Sequence, residues 1–114
     1  MEDVLQKADD LAQAIRASDR YQVMRSAEAT FQADEEAQKL TEEFQAAQAL
    51  VAQKEKDGKP IEVEDKRRLA EIQQKVGASE NLQAFLRAQA DFYEMMNRVN
   101  TSIQTVLGGD EGGE

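Results

Sequence analysis

The 114-residue chain has no cysteine and no histidine. Without cysteine there is no disulfide, no thiolate metal site and no cysteine nucleophile. Without histidine the chain lacks the side chain best suited to proton transfer near neutral pH, and with it the commonest metal ligand. A Ser-His-Asp arrangement is excluded. So is the di-metal bundle built on a Glu-x-x-His motif. The longest fully apolar run is ALVA, residues 49–52, far short of a membrane span or a secretory signal core. There is one proline, Pro60, and five of the six glycines lie at or after Gly77. No glycine-rich phosphate loop exists, because LGGDEGG follows a helical pattern instead of leading into one.

Positive charge is also scarce. Fourteen bases stand against 23 acids, a net charge of −9. That balance repels nucleic-acid backbones and anionic membrane surfaces, so neither is an expected partner. The reading that follows is a chain of the cytoplasm, where disulfides are rare.

What the chain does have is helix formers. Hydrophobic residues make up 40% and charged residues 32%, enough apolar content for a modest core in one domain. Ala, Gln, Glu, Leu, Lys and Arg dominate. The expectation is an all-α fold: an elongated antiparallel bundle of about five helices, over residues 1–107, followed by a mobile, acidic, glycine-rich tail at 108–114.

Apolar spacing places the helices. Val4, Ala8, Leu11 and Ile15 recur at 4, 3 and 4, predicting a helix over about 3–16. Ser18 or Asp19 can cap a second helix, about 19–32, that carries Tyr21, Met24 and Phe31. Ala37, Leu40, Phe44, Ala47 and Val51 mark a third, about 34–57. Gly58 suits the left-handed residue that ends it, and Pro60 prevents continuation. A fourth starts near residues 62–65 and shows Leu69, Ile72 and Val76. Gly77 is expected to close it, with Ser79 capping the next.

The fifth helix, about 80–107, is the longest. Leu82, Phe85, Gln89, Phe92, Met96, Val99, Ile103 and Val106 keep a 3-4 spacing. Leu86, Tyr93, Asn100 and Leu107 form a second row one position further on. The combined face is broader than a two-stranded seam and wants more than one neighbour. Phe85, Gln89, Phe92, Met96, Val99 and Ile103 are therefore the expected self-association or partner face, with a dimer favoured. Gln89 and Asn100 interrupt the stripe. An amide there can fix register, or it can sit at the margin and reach water.

The segment ADEEAQKLTEEF, residues 33–44, holds five acids in twelve positions. Asp34, Glu35 and Glu36 could be a partner-contacting corner. The plainer reading is a helix start: Asp34 accepts hydrogen bonds from free N–H groups of the first turn, and the glutamates sit where the helix dipole favours negative charge. Adjacent carboxylates on a helix point about 100° apart, so the doublets Asp9–Asp10, Glu35–Glu36 and Glu42–Glu43 do not converge on one ion. They read as solvated faces, with no cofactor or metal expected. Between Lys54 and Arg68, six bases meet five acids, a net of +1, which is a charge-mixed surface.

DLAQAIRASDRY, then ADEEAQKLTEEFQAAQ, then a charged hairpin with GKPI and a long last helix together resemble the YlbF/YmcA family of small bacterial proteins, most of all its YheA-like branch. The resemblance covers nearly the whole chain and rests on helical patterns. It implies a non-enzymatic, all-helical, often oligomeric regulatory protein. Members of the wider family regulate competence, sporulation and biofilm formation within a complex that assists messenger-RNA maturation. The iron–sulfur clusters of some relatives need cysteines that this chain lacks. The expected function is thus a regulatory adaptor acting through helix-face contacts. The alternative is a structural or small-ligand-binding bundle with no regulatory partner.

Overall fold

The computed structural model describes residues 1–108. Apart from Gly108, the expected acidic tail lies outside them. The described residues form an all-α bundle of five helices: α1 Glu2–Ala17, α2 Asp19–Gln32, α3 Glu35–Lys56, α4 Val63–Ala78 and α5 Glu80–Val106. The expected helices are all present, within a residue or two of their expected ends.

Two of the connections are single serines in extended conformation, Ser18 (φ −69°, ψ 152°) between α1 and α2 and Ser79 (φ −82°, ψ 105°) between α4 and α5. Gly77 does not close α4 as expected. The helix runs through it to Ala78, and Gly77 is not among the residues with positive φ. Ser79 makes the break, its N–H donating to Val76 O, while the Gln83 side chain reaches back to the same carbonyl at 3.0 Å. The carbonyls left free at the end of α4 thus need no left-handed residue to satisfy them.

Gly58 does play the expected part. It has φ +71°. Its N–H donates to Glu55 O, and the N–H of Lys59 donates to Lys54 O at 2.8 Å. These are the two hydrogen bonds of a Schellman ending. Asp65 starts α4 by accepting from the Glu62 N–H at 3.1 Å and from the Lys54 ammonium. The hairpin that joins α3 to α4 is thereby tied on both sides.

The backbone clusters into two units, Ala27–Phe85 and Met1–Ser26 with Leu86–Glu114. In the first, α3 packs along α4. Its buried apolar residues are Ala37, Ala47, Ile72 and Leu82, and the Phe31 and Phe85 rings stack with centroids 5.2 Å apart. Burying a side chain the size of Ile72 or Leu82 contributes about 1.5–3 kcal/mol, and small residues such as Ala37 and Ala47 let backbones come close. Among the described residues of the second unit, only Ala88 is buried.

Candidate protein-contact surface

The second unit combines α1, the start of α2 and most of α5. Its internal contacts are few and specific. Tyr21 tilts against Phe92, with centroids 5.7 Å apart. Arg20 donates to Glu94 and to the Asp91 carbonyl, while Arg98 donates to the other oxygen of Glu94. The two guanidiniums, Arg20 first, hold the Glu94 carboxyl below its usual range. This ionic clasp joins α2 to α5 beside the Tyr21–Phe92 pair.

Beyond the clasp the apolar face of α5 opens. Phe92, Met96 and Val99 are half-buried, but Ile103 is 44% exposed and Val106 is 82% exposed. From Asn100 to Gly108 every residue is exposed. That stretch and Val99 before it carry no charged side chain, in a chain that is 32% charged. Helix surfaces that face only water are normally charged on at least one side. The stretch is uncharged, with Val99, Ile103, Val106 and Leu107 apolar among Asn100, Thr101, Ser102, Gln104 and Thr105.

The structure distributes the sequence-expected face as follows. Phe85 lies in the other unit, where it stacks on Phe31. Gln89 is half-buried beside it along the helix. Phe92 is engaged by Tyr21. Met96 and Val99 are partly covered, and Ile103 is open. The second row, expected one position further on, is turned outward: Leu86, Asn100 and Leu107 are exposed, and Tyr93 is 58% exposed. The flank that is covered lies on the opposite side, at Ala88 and Met95.

The apolar spacing of α1 predicts a helix and leaves open what covers its stripe. In the structure no α1 residue is buried, Ile15 alone is half-covered, and Leu5 is 56% exposed. Spacing reveals a stripe but not whether the chain itself supplies what covers it.

The other unit offers a groove of about 800 Å³ lined by Asp34, Glu36, Lys39, Glu43, Lys75 and Asn81, among others. Asp34 is committed there as the cap of α3. One oxygen accepts from the Ala37 N–H at 3.0 Å and the other from the Asn81 amide at 2.9 Å. These bonds, the Ala37 one first, hold its carboxyl below the usual range. Among the described residues no three carboxylates gather as a metal-ligand set. No described helix is long and apolar enough to cross a membrane.

Comparison with known proteins shows a family and a fold. Residues 4–107 match the family model described as control of competence regulator ComK, YlbF/YmcA. UPF0342 proteins of Staphylococcus aureus strains JH9 and Newman are each 32% identical over 96 residues, which is 84% of this chain and 84% of theirs. The fold is similar to that in the crystal structure of Bacillus subtilis RicA in complex with RicF. The TM-score is 0.80 at 23% identity, covering 94% of this chain and 95% of that one.

Proposed function

The chain belongs to the YlbF/YmcA family, and from that premise we propose that it is a non-enzymatic regulatory adaptor of the cytoplasm, acting through helix-face protein contacts. One observation carries this reading: the uncharged, exposed end of α5 around Ile103. The solved structure of similar fold is of RicA in complex with RicF, which supports contact with another protein. The proposed partner face comprises Gln89, Phe92, Met96, Val99 and Ile103, with the last three as its accessible part; Phe85 is engaged by Phe31 in the other unit. Self-association as a dimer uses the same face. The absence of histidine and cysteine removes most catalytic side-chain chemistry and favours a role by binding. We place the chain in the YheA-like branch. Its process is of the kind the family's regulators serve: competence, sporulation or biofilm control through a complex that assists RNA maturation.

Affinity purification from the native cell tests the reading, with wild type beside Ile103→Asp. The substitution puts a charge where the helix end has none, at an exposed position that does not disturb the fold. Protein partners or a second copy should come down with wild type and be lost with the variant. Equal recovery with both, or a strict monomer at tens of micromolar that captures nothing, would favour a structural or small-ligand bundle. The groove beside Asp34 would then be the place to look.

A further inference from the structure

We propose that Ser18 is a two-position joint. The break between α1 and α2 interconverts with one unbroken helix over residues 2–32. Straightening turns the apolar stripe of α1 away from the side of α2 that carries Tyr21. The inference concerns the joint alone and does not depend on what the partner face binds.

A single backbone angle separates the two forms. Ser18 has φ −69°, already helical, and ψ 152°, whereas an α-helix needs ψ near about −42°. Ala17 before it and Asp19 after it belong to helices. No glycine or proline precedes Gly58, so the stereochemistry of the chain does not force a break here.

The hydrogen bonds nearly balance. The Ser18 N–H and hydroxyl both donate to Ile15 O, at 3.1 and 2.6 Å. The hydroxyl accepts from the Tyr21 N–H at 3.2 Å, and the Gln22 amide donates to Arg16 O at 2.8 Å. These four bonds hold the broken form. In the unbroken helix the N–H groups of residues 18–21 donate to the carbonyls of residues 14–17, which is again four. Packing adds little to the choice, because no α1 residue is buried and Ile15 alone is half-covered. That coverage favours the broken form, which the structure holds.

The other single-serine connection lacks this freedom. On either side of Ser79, Ile72 and Leu82 are buried, and Asn81 and Gln83 bond to Asp34 and to Val76 O. Straightening there would break core packing. Straightening at Ser18 would not.

Phase gives the movement its consequence. Read as one helix at about 100° per residue, residues 2–32 place Val4, Ala8, Leu11 and Ile15 roughly 160° away from Tyr21, Met24 and Phe31. The unbroken helix thus points the α1 stripe nearly opposite to the side that meets Phe92. The Arg20 side chain stays tied to Asp91 and Glu94, so the start of α2 keeps its place on α5 while α1 moves. A molecule that binds the stripe in one position only draws the population toward that position.

Two substitutions push the joint in opposite directions. Ser18→Ala removes both hydroxyl bonds and adds a stronger helix former. Asp19→Pro suits the broken form, since proline is favoured at the first helical position and wants an extended residue before it. In the unbroken helix it would lose a bond and clash with Ile15 O. Nitroxides are placed at Leu5→Cys and Val23→Cys in the otherwise cysteine-free chain, and double electron–electron resonance reads their separation after dilution with unlabelled protein. Both positions are exposed, at 56% and 57%. They lie about five turns apart, so the unbroken helix holds both labels on one side at about 27 Å. The expected population at that distance is minor in wild type, grows several-fold in Ser18→Ala, and vanishes in Asp19→Pro and in the double variant. Carbon-13 shifts of residue 18 should move from extended to helical values with it. A Ser18→Ala distribution identical to wild type, with residue 18 still extended, would overturn the proposal. So would survival of the longer-helix distance in Asp19→Pro, because that helix cannot be unbroken.

Discussion

The Asn81 amide donates to Asp34 at 2.9 Å across 47 residues of chain, joining the first turn of α5 to the residue that caps α3. Asp34 thus does two jobs with its two oxygens. Its Oδ1 accepts from the free N–H of Ala37, a core residue only 2% exposed. Its Oδ2 fixes where α5 begins.

Removing that carboxylate should therefore loosen two helix starts together. Asp34→Ala is expected to lower the thermal midpoint followed by circular dichroism, and Asn81→Ala to lower it less, since the Ala37 bond survives. A double variant no worse than Asp34→Ala alone would mark the two as one unit. An unchanged midpoint in Asp34→Ala would show that water replaces the cap without loss.

Three carboxylates titrate below their ordinary values: Asp34 through Ala37 and Asn81, Asp65 through Lys54, and Glu94 through Arg20 and Arg98. A depressed folded-state pKa contributes stability that is whole above the unfolded value and is lost as pH falls through the folded one. The unfolded values are 3.8 for both aspartates and 4.5 for the glutamate. Denaturant midpoints should accordingly stay level from about pH 6 to about pH 8, where no side-chain type present has its ordinary pKa, and decline below the carboxylate range. Asp65→Asn should flatten that decline. Rising stability between about pH 5 and pH 3 would contradict the assignment.

Packing loss should be concentrated in the α3–α4 unit. Ile72 is 6% exposed, and Ile72→Ala is expected to cost about 2–5 kcal/mol in chemical denaturation, from lost transfer energy and a cavity. Val63→Ala, at a position 82% exposed, should stay within about 0.5 kcal/mol. Similar costs at both sites would mean that the core is not where burial places it.

Two glycines should respond with opposite sign. An added Cβ meets nothing within 4 Å at either Gly58 or Gly77, so only backbone conformation decides. Gly58 sits at φ +71°, and Gly58→Ala should destabilise by about 1–2 kcal/mol. Gly77 lies inside α4, and Gly77→Ala should stabilise by about 0.5–1 kcal/mol. A loss at Gly77 would restore it as a helix terminator.

The helices were legible because their signals are local. Asp34 before the Ala37–Leu40–Phe44 stripe, and Gly58 before Pro60, set their ends through near neighbours. Gly77 misled because the same residue type that ends one helix is merely tolerated in another. What decides is whether a following residue, here Ser79, already breaks the chain direction. The geometry of α5 is only partly a local matter. The heptad spacing of Met96, Val99 and Ile103 is in the sequence. That Tyr93 faces outward while Ala88 is covered depends on how Tyr21 and Arg20 meet α5, pairings more than 70 residues apart. No local pattern encodes them.

The single-residue link at Ser18 has one more consequence. A helix advances about 100° per residue. One residue inserted or deleted there would swing Val4, Leu11 and Ile15 about a quarter-turn away from whatever they meet, although no contact residue had changed. The reversal around Gly58 lacks that property, because extra residues in a loop are taken up as slack. The chain therefore has one phase-locked connection and one length-tolerant connection. A fusion, tag or linker belongs in the reversal, and the Ser18 joint admits none.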